Sequence, residues 1–157
     1  MNPDEALWVF LIAAAPIVEL RLAIPVAMVT YDMAWYSAFP ICVAGNLLPV
    51  PFLLRFLGPV SEFLSKIKLF ERLINWVFKR TRRRSNLVEK YGWLGLIMVV
   101  AVPLPGTGAW TGSILAFLLG MRFKPAFLSI LCGVLIAGVI VTILSHMGIF
   151  FLGSDPE

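Results

Sequence analysis

The chain has 157 residues, of which 60% are hydrophobic and 14% charged, with a mean hydropathy of +0.91. Soluble globular chains carry about 25% charged residues and disordered chains are poorer still in apolar ones, so both classes are excluded and one small integral membrane domain remains. The formal net charge of +4 says less than its placement, because ten of the thirteen Lys and Arg fall between Arg55 and Lys90.

The N-terminal stretch, MNPDEALWVF, carries two acidic side chains where a signal peptide needs a basic region, and no small-residue cleavage site with soluble sequence follows. The first apolar segment is therefore expected to stay in the mature protein. Positions 6 to 18 and 22 to 31 are short uncharged pieces separated by Glu19, Leu20 and Arg21. Each falls well short of the roughly 20 residues a spanning helix needs, so they read as a broken pair. Positions 33 to 54 carry no charge and are long enough to span, as a helix that Pro40, Pro49 and Pro51 should kink or end early.

Positions 55 to 90 form the polar region. Phe63, Ile67, Phe70, Ile74 and Val77 recur at spacings of 4, 3, 4 and 3, which predicts an amphipathic helix. It leads into KRTRRRS at 79 to 85, where Lys79, Arg80, Arg82, Arg83 and Arg84 are candidate contacts for lipid headgroups. The same basic loop is a topology signal that places it in the cytoplasm. A nucleic-acid partner is not expected from such a string in a polytopic chain.

No charge occurs from Tyr91 to Met121. As one helix this run would measure about 46 Å, well beyond a bilayer core of roughly 30 Å. Its centre, PLPGTG at 103 to 108, is turn chemistry, so Pro103, Pro105, Gly106 and Gly108 should divide it into half-helices over roughly 93 to 102 and 109 to 121. In the first segment the corresponding break is marked by Pro16, with Pro25 placed at the start of the half-helix after Arg21. Non-helical backbone at membrane depth must be buried in protein or line a wet cavity, and a re-entrant hairpin satisfies that condition. Positions 126 to 152 form a further uncharged spanning segment.

The order is thus broken hairpin, spanning helix, basic loop, broken hairpin, spanning helix. Gly45 follows Pro16 at nearly the interval by which Gly133 follows Pro103, an internal repeat in outline. If each hairpin returns to its side of entry, each unit crosses once, the two units are inverted, and both termini lie outside.

Glu19 and Arg21 are the charges that matter, since an ionisable group at membrane depth costs about 2.5 to 3.5 kcal/mol on insertion scales. A desolvated Glu suits proton coupling and a permanently charged Arg suits a phosphate or carboxylate. The same pair would also serve as a buried clasp at the hairpin tip. Residues two apart on a helix point to nearly opposite sides, so the pair can meet only if the backbone is broken there. Thr107 and Thr111, with the free amides opening the second half-helix, offer an anion site; Gly108 and Gly112 at GxxxG spacing offer close packing instead. Asn46 can hydrogen-bond across helices or contact substrate. Cys42 and Cys132 lie in apolar runs, read as packing residues, and show neither disulfide nor metal spacing. No catalytic constellation, metal set or cofactor motif occurs, so an enzyme is not expected.

The strings PIVELRLAIPVAM at 16 to 28, GNLLPVPFLL at 45 to 54 and PLPGTGAWTGSILA at 103 to 116 resemble the signature segments of the small multidrug export protein family, over nearly the whole chain. That family is similar in turn to the DedA/VTT membrane-protein superfamily. The wider resemblance implies paired re-entrant hairpins, movement of lipids or lipid carriers, proton coupling, and a role for Glu19 as the acidic residue of the first hairpin. DedA proteins usually carry arginine in the second hairpin, and this chain has no charge from Tyr91 to Met121.

The reading is an all-α, multi-pass inner-membrane protein of two inverted hairpin-plus-helix units (1–54 and 91–152) joined by a basic cytoplasmic segment (55–90). The expected function is proton-coupled export of a small amphipathic molecule. Translocation of an anionic lipid or polyprenyl phosphate, and a non-transporting scaffold, are the alternatives. Membrane lipids and further copies of the chain are the expected partners.

Overall fold

The computed structural model describes residues 3–16, 18–65, 76, 79, 85–102 and 107–152, with side chains at all of these except 59–65, 85 and 149–152. Among them every regular element is a helix and no strand occurs. The first, α1 (Pro3–Ala14), opens on a proline whose missing N–H costs nothing there, and Asp4 and Glu5 in its first turn face the positive end of the helix dipole. It stops ahead of the exposed Pro16, and α2 (Glu19–Pro25) follows.

Pro25 does not begin the half-helix, as the sequence suggested, but ends it. Its ring nitrogen cannot donate to the carbonyl one turn back, and the chain widens into a π-helical turn over Val26–Thr30. There the Tyr31 N–H reaches the Val26 carbonyl at 3.3 Å. The helix starts instead at Glu19, whose φ of +51° turns the backbone sharply at that residue.

Helices α3 (Trp35–Leu47) and α4 (Pro49–Ser65) are nearly continuous, interrupted at Leu48, whose N–H bonds the carbonyls of Ala44 and Gly45. Of the three prolines expected to kink or end this segment, Pro40 lies within α3, Pro49 opens α4 and Pro51 sits in its first turn. Next come α5 (Ser85–Tyr91) and α6 (Trp93–Ala101), joined by Gly92 at φ +58°. The last two helices are α7 (Ala109–Leu118) and α8 (Phe123–Leu152). The second broken run therefore divides close to the expected boundaries, with α7 ending slightly early. Most of the expected amphipathic helix lies outside the described residues, as do Arg80, Arg82, Arg83, Arg84, Pro103, Pro105 and Gly106; Lys79 is exposed.

Trp35–Gly58 and Phe123–Gly148, of 24 and 26 residues, are long and apolar enough to cross a membrane. At 1.5 Å per residue they measure about 36 and 39 Å, more than the roughly 30 Å hydrocarbon core. Along α8 the outward face is itself apolar, with Leu128, Ile136, Val139, Ile143 and Leu144 exposed. Cys132 belongs to that exposed face and so does not pack inside, whereas Cys42 is buried.

The packing of the two halves corresponds. α1 lies against α3 and α6 against α8, while α2 packs on α8 and α7 on α4. In the first half, a Cβ on Gly45 would strike the Phe10 carbonyl oxygen and come within 3.0 Å of the Ala13 Cβ. In the second, a Cβ on Gly133 would lie 2.6 Å from the Val100 Cβ and 3.1 Å from the Ile97 carbonyl oxygen. Phe10 and Ile97, and likewise Ala13 and Val100, are 87 positions apart, and the two glycines are 88 apart. The dipeptide Ala38-Phe39 recurs as Ala126-Phe127 at the same interval of 88, with both alanines fully buried. Small residues at these contacts let backbones approach, which is how helices gain packing energy where no hydrophobic drive between them exists.

Candidate functional site

The residues that flank the two breaks meet one another. Glu19 is 4% exposed, in the company of the buried Leu20, Ala23 and Ile24. Its left-handed backbone brings its carboxylate to 4.0 Å from the Arg21 guanidinium, a pairing that residues two apart on a regular helix could not make. The carboxylate also accepts from the backbone N–H of Trp110, in the first turn of α7. A negative charge at a helix N-terminus meets the unpaired amides and the positive end of the dipole together.

Arg21 serves the other side of the same break. Its Nη2 donates to the Val102 carbonyl at 3.2 Å, at the C-terminal end of α6. Thr107 Oγ1 donates to that carbonyl as well, at 2.6 Å, and closes the break on itself. Acid on the opening of α7 and base on the end of α6 match both dipole ends that the break exposes.

The exchange is reciprocal. Trp110 Nε1 donates at 3.1 Å to the carbonyl of Ala14, the last residue of α1. Each broken segment thus caps the first half-helix of the other. Gly108 makes the fit possible. It sits at φ +134°, and a Cβ there would collide with the Glu19 carboxylate, 2.7 Å from its Cδ.

Glu19, Arg21, Thr107 and Gly108 are therefore assembled as one group. Thr111 lies half-buried in the first turn of α7, and Ser113 Oγ donates to the Ala109 carbonyl within the helix. Asn46 is buried on α3, and its Oδ1 has no hydrogen-bond partner among the described residues, so it does not join the charged group through that atom. Sequence reasoning passed over Trp110 and the Val102 carbonyl. A tryptophan whose indole N–H needs a partner, placed just after a Pro/Gly break, was the available signal for the first.

Of the amides opening α7, which the sequence suggested for an external anion, that of Trp110 holds the chain's own Glu19 carboxylate. Among the described residues no group of three His, Cys, Asp or Glu side chains is placed to hold a metal ion.

The profile of the family described as Putative small multi-drug export protein matches residues 19–140. The match begins at Glu19, just past the first break, and takes in the second break, all of Trp35–Gly58 and most of Phe123–Gly148. No curated protein and no solved structure matches the chain.

Proposed function

Because the chain belongs to the Putative small multi-drug export protein family and carries a buried Glu19 that bridges its two breaks, we propose that it is a proton-coupled exporter of small amphipathic molecules. The observation that carries this reading is the Glu19 carboxylate, seated on the Trp110 N–H and paired with Arg21, in an interior whose other buried side chains among the described residues are uncharged. Asp4, Glu5, Arg122 and Lys124 lie at the far ends of the neighbouring helices, so Arg21 and the α7 dipole are what answer the Glu19 charge. Protonation removes both attractions at once. The breaks then part, and the return of the proton to one side of the membrane resets them.

Two inverted units suit this mechanism. With each break returning to its side of entry, one spanning helix per unit crosses the bilayer, and the site falls between discontinuous helices near the midplane. The paired glycine contacts and the recurring Ala-Phe dipeptide support that arrangement. The basic segment then lies in the cytoplasm of a cell whose inner membrane holds the protein, against lipid headgroups. Four short membrane elements enclose little volume, and a homo-oligomer completes the path.

Translocation of an anionic lipid or polyprenyl phosphate, the activity that the DedA/VTT resemblance implies, is favoured by one observation, the part-buried guanidinium of Arg21 beside the second break. It requires the headgroup to displace Glu19 from Trp110. Purified protein in liposomes separates the readings: a cationic dye and a fluorescent anionic lipid are followed side by side under an imposed pH gradient. Export predicts gradient-driven dye movement. Lipid movement that ignores the gradient refutes it, and movement of neither leaves a non-transporting scaffold.

A further inference from the structure

An open groove of about 400 Å³ lies away from the charged site, on the outward face between the start of α3 and the last third of α8, and Trp35, Val139, Ile143, His146 and Met147 along it are all exposed. Trp35 and Phe39 form one wall, and Val139, Ile143 and Met147 the other. Thr142 and His146 are its polar members; the Thr142 hydroxyl oxygen is buried without a hydrogen-bond partner among the described residues. No Asp, Glu, Lys or Arg among the described residues lines it. Aromatic and apolar walls with a few polar atoms, in a space of roughly 300 to 1,000 Å³, are what small-molecule sites offer. Trp35 and Tyr36, stacked edge to face at 5.9 Å and both exposed, stand beside it as interfacial anchors.

The correspondence between the halves says what such a space takes. At the interval of 88, Phe39 answers to Phe127, Trp35 to Phe123, Thr142 to Leu54 and His146 to Gly58. In the second half a ring stands at the His146 end of the corresponding place: Phe117, at the end of α7, comes within 3.4 Å of where a Cβ on Gly58 would lie. At the interval of 87, the counterpart of Phe117 is Thr30, in the π-helical turn that follows Pro25, and it is exposed. One half thus holds a phenyl ring where the other holds an open groove. The cause is local. α7 runs ten residues as a regular helix, while α2 loses its register at Pro25 after seven.

We propose that the groove between α3 and α8 is a binding site for the aromatic part of an amphipathic molecule, with Phe117 marking the equivalent place in the other half as one that takes a ring. The ligand's polar end would lie toward His146. As the site of the exported substrate the groove rests on the function proposed above; as a binding site it does not.

The test uses the full chain in nanodiscs and the neutral fluorescent probe N-phenyl-1-naphthylamine, with empty nanodiscs as the partition control. The parent should show one saturable site per chain. Val139→Trp fills the groove and should weaken binding by about tenfold or more, the equivalent of losing one well-packed ring contact. Leu128→Trp, on the same exposed face of the helix but outside the groove, should bind as the parent does. Naphthalene should displace the probe better than decane. The proposal is overturned if no saturable component exceeds empty nanodiscs, if Val139→Trp binds as tightly as the parent, or if Leu128→Trp loses as much. Displacement by decane in preference to naphthalene makes the occupant a lipid chain and overturns it equally. Binding here needs no proton gradient, so loss of probe binding and loss of gradient-driven export are read independently.

Discussion

The Glu19 carboxylate rests against Gly108, far away in sequence, in the space that a side chain at 108 would occupy. Gly108→Ala therefore meets two penalties, a Cβ against a buried carboxylate and a backbone at φ +134° that L residues rarely adopt. The expected loss is at least about 2 kcal/mol of stability. Adding Glu19→Ala should recover part of it, because one of the two penalties disappears. Thermal unfolding of the single and double variants measures the coupling; additive losses would mean that the two residues do not share the space.

Trp110→Phe keeps a ring in place and removes the bond to the Ala14 carbonyl. The expected cost is about 1 kcal/mol, the usual net worth of a neutral hydrogen bond. A melting temperature equal to the parent's would show that the α1 terminus is satisfied without the indole.

Gly45→Leu and Gly133→Leu should fail alike, since each glycine admits a helix backbone at a corresponding contact. Overpacking of this kind typically costs about 1–3 kcal/mol, and both variants should give reduced yield of folded protein. Gly148→Ala, with nothing within 4 Å of its added Cβ, is the control that should not change.

Asp4→Cys and Lys79→Cys, in a Cys132→Ser background, should be labelled from opposite sides of the membrane by an impermeant maleimide. Reaction of both from one side would show that the first broken segment spans and does not return.

Much of this architecture is written in local chemistry. Two prolines and two glycines at 103 to 108 announce the second break, and Trp93–Ala101 and Ala109–Leu118 form the half-helices that flank it. The short uncharged pieces around Glu19 announce the first. Pro25 misled because a proline fits the first turn of a helix, and composition alone does not say on which side of a break the residue falls. The meeting of Glu19 and Arg21 follows from a left-handed φ at a glutamate, which no propensity favours. The contacts of Glu19 with Gly108 and Trp110, and of Arg21 with Val102, join the two ends of the sequence across the whole basic segment. They arise from tertiary packing, and one sequence carries no local trace of them.

In the proposed mechanism the Glu19 charge couples the two breaks to the proton gradient. The most direct measurement is gradient-driven dye export by Glu19→Gln in liposomes, beside the parent and Arg21→Lys. Glutamine keeps the shape and an acceptor for the Trp110 N–H but cannot titrate, so the account predicts a folded protein whose transport no longer responds to pH. Lysine keeps the charge near Glu19 and loses the planar fork that reaches Val102, so a slower but still pH-responsive exporter is expected. Parent rates and an unchanged pH response in both variants, with folding lost only when Glu19 and Arg21 are neutralised together, would make the pair a structural clasp and contradict the account.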